Sequence, residues 1–375
     1  MTKQEYIMEL MRALSFLDHD TRNAALDFYN EMLEDRLEEA ETEEAAVAAM
    51  DSPDMIAAQL RQEMAAPADR PAAPVSASDD LTEEWSPRTF NCPLAGLHAV
   101  KLDAENMAIE ILPASDGQVT LSYFTRKQDE YTARVDGDVL TLTHRSDPSW
   151  ARRIVHNFFF RPAAPVKVTL RLPEDAALDL SAVTRNAVIE ARGMRGLGIL
   201  DLKSSNGSLT AETVKCREAV LRTSNARVTL RDAVCGNVCR LQSSNGSIIL
   251  ENCGAAGSVE CVTSNAAARA ENVRCGDTLL LRTSNGSIQA RDVSAQSVTL
   301  HSSNGSLLAE DLRANAVSLR TSNASIRGVL PGAQQDWQID SGTTNGKNSL
   351  PASQPGQKPL SAHTSNGSIQ ITFGG

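Results

Sequence analysis

Ten asparagines, Asn186, Asn206, Asn225, Asn245, Asn265, Asn285, Asn304, Asn323, Asn345 and Asn366, set the frame for more than half of this 375-residue chain. The intervals between them are 20, 19, 20, 20, 20, 19, 19, 22 and 21 residues. Each has Ser or Thr two positions before it and Gly or Ala directly after it. A fixed period near 20 residues marks a solenoid, in which each repeat buries its apolar face only against its neighbours.

Aligned on the Asn, every repeat contains three short runs in which apolar and polar residues alternate, as in strands with one buried face. Leu200/Leu202, Leu279/Leu281 and Val317/Leu319 precede the Asn, Leu209/Ala211, Val228/Leu230 and Ile288/Ala290 follow it, and Val214/Cys216 and Ala233/Cys235 complete the turn. The alternation breaks between runs, which predicts three corners. The first is the Asn, a residue that tolerates left-handed backbone. The second lies six to seven residues on, where Thr213, Asp232, Asn252, Asn272, Asp292 and Asp311 recur. The expected architecture is mainly β: a single-stranded parallel β-helix of about 20 residues per coil with three faces. It is right-handed by the default for parallel crossovers. In-register stacking at about 4.8 Å would place Asn on Asn in a ladder of side-chain amides.

Before the repeats, four segments alternate as strands do: 100–112, 117–125, 138–144 and 166–173. Asp136-Gly137 suits a hairpin turn. This region, 90–175, is expected to cap the first coil of the solenoid at 176–375. Residues 65–89 begin as a Pro/Ala-rich linker.

Residues 1–64 read as a small all-α bundle. Thr2 and Glu5 form a capping box ahead of a helix over 2–17, with Ile7, Leu10, Met11, Leu14 and Leu17 on one face. Further helices are expected at 20–40, at 43–50 and from Ser52-Pro53 onward. The whole net charge of −11 resides in the first 70 residues, and the remainder is neutral. That distribution argues against direct nucleic-acid binding, which draws on excess positive charge.

The segments KQEYIMELMRAL, ALDFYNEMLED and AAVAAMDSPDMIAAQL resemble the HAAS-type helical signalling domain of bacterial regulators. The resemblance implies a role in signalling and a protein partner, a PadR-type transcription regulator among the options; another copy of the chain is a second option. The stretch VKVTLRLPEDAALDLSAVTRNAVIEARG, the repeated SSNGS and TSNGS, and the ending HTSNGSIQITFGG resemble the putative-adhesin β-strand-repeat family. That resemblance covers about 90–375 and implies a parallel β-helix.

Chemistry is harder to find. The seven cysteines lack CxxC spacing, and six fall at inward positions in place of Ala, Val or Leu, so they read as buried inert thiols. The six histidines form no ligand motif; His301 and His363 share a column but stand three coils apart in chain order. No phosphate-binding Gly loop or nucleophile motif is present. No catalytic residue, metal or cofactor is expected. Two surfaces offer interaction sites. One is an outward basic stripe that includes Arg222, Arg282 and Arg320. The other is the segment 149–162, with Trp150, Arg152, Arg153, Phe158, Phe159 and Phe160, which suits a partner hot spot or peripheral membrane contact. The N-terminus lacks a secretory-signal pattern and no apolar run reaches 18 residues, so a cytoplasmic location is expected, with surface exposure left open. The leading reading is a non-enzymatic binding or assembly scaffold in signalling. A surface adhesin is the alternative, and a carbohydrate-active β-helix enzyme is a third option.

Overall fold

The computed structural model describes residues 2–17, 22, 26, 29–30, 33, 42–48, 50–64, 86–125, 130–145 and 167–374. They fall into two compact units, one helical and one built of strands.

In the helical unit, Thr2 and Glu5 close the capping box in both directions ahead of the helix Lys3–Ala13. The buried face carries Tyr6, Leu10, Leu14 and Leu17. It is rotated from the expected one: Met11 is exposed and Tyr6 takes the inward place. The phenol explains the rotation, because its hydroxyl donates to the Asp51 carbonyl at 2.7 Å and ties the helix to the following segment. Helices Glu43–Ala48 and Pro53–Met64 follow, with Thr42 and Ser52 accepting from the backbone at their starts. Val47, Ile56 and Leu33 complete this core. Most of the expected 20–40 helix and residues 65–85 lie outside the described residues.

The strand unit is a parallel β-solenoid. Register is strict: Leu209 pairs with Val228, Val228 with Ile248, Ile248 with Ala268 and Ala268 with Ile288. The inward columns are therefore stacks of Ile, Leu, Val, Ala or Cys, nearly all of them buried, which removes the apolar area that drives folding. In the later coils the strand no longer breaks at the second and third corners. Ile288–His301 and Leu307–Arg320 each run as 14-residue strands.

The second corner, rather than the Asn, adopts left-handed backbone. Thr213, Asp232, Asn252, Asn272, Asp292 and Asp311 have φ between 48° and 54°, and none of the ten repeat asparagines has positive φ. The corner at the Asn is made by close approach instead. A Cβ on Gly207 would lie 1.6 Å from the carbonyl oxygen of Ala187 in the coil below.

Both ends depart from chain order. Strand Ala99–Ala104 pairs on one side with Asp179–Val183 and on the other with Val139–Arg145. Ala108–Ala114 likewise lies between Ile189–Arg192 and Lys167–Pro173. Part of the expected cap is thus a full coil, inserted beneath the first repeat. Beyond it, Glu130–Asp136 folds antiparallel onto Val139–Arg145, with Gly137 at φ +63° in the turn. Ser86–Pro93, which begins within the expected linker, closes the neighbouring face through Gln118–Thr125. At the other end Lys358–Thr364 lies between Leu307–Arg320 and Trp337–Thr343. Trp337 is buried there.

Candidate surface site beside the amide ladder

The asparagine side chains form a continuous ladder on the outside of the solenoid. Asn206 Nδ2 donates to Asn186 Oδ1 at 2.8 Å, Asn245 to Asn225, Asn265 to Asn245, Asn285 to Asn265, Asn304 to Asn285 and Asn323 to Asn304 at 2.6–2.7 Å. Asn225 closes the remaining gap to Asn206 at 2.5 Å. Asn106 supplies a base rung, accepting from Asn186 at 2.7 Å. The sequence reading missed it, because Ala104 replaces the usual Ser or Thr two positions earlier.

Beneath the ladder runs a buried column of hydroxyls. Ser204, Thr223, Ser243, Thr263, Thr283, Ser302 and Thr321 are almost fully buried. Each donates to carbonyls of the coil below; Thr223, for example, reaches the Ser205 and Gly207 oxygens at 3.2 and 3.1 Å. At the Asn-Gly corners the same oxygen accepts the glycine N–H, as Ser302 does from Gly305 at 2.8 Å. These hydroxyls thus satisfy backbone groups that the corner would leave buried and unpaired.

Three residues before each Asn lies the basic stripe. Lys203, Arg222, Gln242, Val262, Arg282, His301, Arg320 and His363 follow one another in register. Val262 divides it. Arg222, in the lower part, is 3.8 Å from Asp201. The upper part differs. Neither Arg282 nor Arg320 has an ion pair among the described residues, although Arg231, Arg240, Arg274 and Arg291 each meet a carboxylate on a neighbouring coil. The adjoining outward column reads Leu280, Thr299, Ser318 and Ser361, and the other flank reads Ser284, Ser303, Ser322 and Ser365. Glu260, below Leu280 in the same column, pairs with Arg240, and above it the strip holds no acid until Asp340, which meets His363 at 3.2 Å.

His301 lies between the two arginines. Burial and the charges of Arg282 and Arg320 push its pKa below the ordinary histidine value, which favours the neutral imidazole. Arg282 and Arg320 stand two coils apart, roughly 10 Å by strand spacing. Guanidinium groups at that spacing suit carboxylates or other oxyanions held in bidentate fashion. Register also corrects the distance between His301 and His363: they stand two coils apart, with Arg320 between them, because the last coil is inserted.

Trp150, Arg152, Arg153, Phe158, Phe159 and Phe160 lie outside the described residues. Among the described residues no group of three or more His, Cys, Asp or Glu converges as a metal site, and no helix is long and apolar enough to cross a membrane.

A helical unit followed by a β-solenoid with a ladder of asparagine rungs defines a two-part repeat protein. Its parts carry family signatures. Residues 5–59 match the HAAS family model, and residues 98–273 match the Toastrack DUF4097 model. The chain is similar to a solved structure described as a putative adhesin from Bacteroides fragilis, with 13% identity, 76% of this chain and 97% of that one covered, and a TM-score of 0.32. It is also similar to one described as a putative cell adhesion protein from Clostridium sporogenes, with 10% identity, 78% and 100% coverage and a TM-score of 0.19. No curated protein matches the chain.

Proposed function

We propose that this chain is a binding scaffold in bacterial signalling. The helical domain docks a protein partner, and the solenoid presents the Arg282–His301–Arg320–His363 column to an acidic segment of a partner protein. The observation that carries this reading is the pair of arginines left without carboxylates on a surface where their counterparts are paired. Uncompensated charge of one sign speeds encounter with the opposite sign and selects among partners. The HAAS domain supports the signalling side, and a PadR-type regulator is the partner class to test first, by co-purification with the full chain.

The solenoid reading is tested with a fluorescent oligoglutamate peptide as probe. The full chain should bind it in a salt-sensitive manner, and the Arg282→Glu/Arg320→Glu double variant should lose about tenfold in affinity, as removal of attractive charges at a rim does. The control is Arg240→Glu, at an arginine whose carboxylate partner is Glu260. Equal loss in the control, or unchanged binding in the double variant, defeats the proposal.

A further inference from the structure

Six rungs of the ladder are Asn-Gly pairs: Asn206, Asn245, Asn285, Asn304, Asn345 and Asn366 with the glycines that follow. Asn-Gly is the sequence most open to intramolecular attack, because glycine has no side chain to shield its backbone nitrogen. The fold blocks that attack along the ladder in two ways. The glycine N–H of rungs 206, 245, 285 and 304 is held by the Oγ of the buried hydroxyl column at 2.8–3.2 Å. The amide of each of these rungs also both donates and accepts, which fixes the side chain against rotation toward the backbone.

Asn345 is different. It is the terminal rung: its Nδ2 donates to Asn366 Oδ1 at 2.7 Å, and among the described residues no further rung stacks above it to hold its own oxygen. Gly346 is the only exposed glycine of the six; Gly207, Gly305 and Gly367 are buried, and Gly246 and Gly286 are half-buried. We infer that Asn345–Gly346 is a site of spontaneous covalent modification, deamidating ahead of every other rung. The Gly346 backbone nitrogen attacks Asn345 Cγ and gives up its proton to solvent. The Cγ–Nδ2 bond breaks, and the amide nitrogen takes one proton back from solvent and leaves as ammonia. One water then opens the five-membered succinimide at either carbonyl, giving aspartate or isoaspartate at 345. The product carries a negative charge and has lost the donor that held Asn366. Asn366–Gly367, whose carbonyl oxygen is then released, is the next to react, so modification advances down the ladder from its end.

The test is incubation of the full chain at mildly alkaline pH with peptide mapping over days. Residue 345 should convert about tenfold faster or more than rungs 206, 245, 285 and 304, the contrast expected between a fraying end and a closed interior. In urea the six sites should react at similar rates. An Asn345→Asp variant, checked for folding by circular dichroism, should speed conversion at Asn366 and leave Asn245 unchanged. Equal rates at all six sites in the folded chain, an interior rung leading, or an unchanged Asn366 in the variant each overturns the inference.

Discussion

The side-chain amide of Asn366 donates to Asn323, 43 positions earlier, at 2.7 Å, although Asn345 lies between them in the sequence. The final coil therefore sits inside the stack, and Trp337–Thr343 is laid over it. Truncation after Gln354 should remove a middle layer rather than an outer one. Leu319 and Ile339, which the structure keeps apart by Ala362 and Leu360, would both be left uncovered. The expected outcome is early cleavage within 317–354 in limited proteolysis, with the lower coils resistant. Resistance throughout would argue against the insertion.

Ser302 is fully buried and bridges the Gly286 carbonyl and the Gly305 N–H. Ser302→Ala should cost about 1–3 kcal/mol, because both backbone groups are left unsatisfied. Ser302→Thr should be close to neutral, since Thr fills the same column in other coils. Urea midpoints of the two variants provide the comparison.

Thr213 has φ 54° at a corner where other coils place Asn or Asp. A β-branched residue is strained in that region, and Asn adopts it more readily. Thr213→Asn should raise stability by about 1 kcal/mol, seen as a higher melting temperature. A lower one would show that the Thr side chain makes a compensating contact.

His301 has a folded pKa depressed below its ordinary value of 6.5. The unfolded chain therefore binds this proton more readily than the folded one. Its contribution to stability is complete above pH 6.5 and is lost as the pH falls from there toward the folded pKa. His301→Gln should flatten the stability profile below pH 6.5. An unchanged slope would place the proton uptake elsewhere.

The six core thiols should resist alkylation in the native state. Burial pushes Cys253 up to about 12 and Cys275 up to about 11, and raises Cys261 further. Cys216 is raised by its contact with Cys235, 3.9 Å away, and by burial, whereas the Cys216 and Cys239 thiols lower Cys235, which is protected by its burial alone. Cys92 is only half-buried. Iodoacetamide at pH 8 should therefore label Cys92 first and the others only in urea. Early labelling of Cys216 or Cys235 would show that the solenoid opens there.

Most of the solenoid was legible because period and alternation together determine which residues face inward and which stack. The two corners were harder to distinguish, since both carry short polar residues. Their chemistry separates them. A ladder across this spacing needs a short side chain that donates from one atom and accepts at another, as the Asn amide does, and its column is all Asn. A left-handed turn accepts Asp as well as Asn, so its column is mixed. The inserted ends left fainter traces: intervals of 22 and 21 near the C-terminus, and Thr344 and Lys347 where most repeats carry Ser. Pairing across that distance depends on which exposed edge a coil reaches, and no local pattern encodes it. The acid-free strip was legible only in part: Asp201 and Glu260 stand in equivalent places beside Arg222 and Arg282, and only the structure shows that Glu260 turns to Arg240 instead.

The interleaved C-terminus also has a temporal meaning. A ribosome delivers residues in order, at about 5–20 per second, and an ordinary repeat stack can grow as it emerges. Here Trp337–Thr343 cannot take its final seat until Lys358–Thr364 has been released and slotted beneath it. For that interval the chain holds an open edge at Leu307–Arg320, beside Arg320 of the basic column. That surface is thus finished only once the inserted last coil has been delivered.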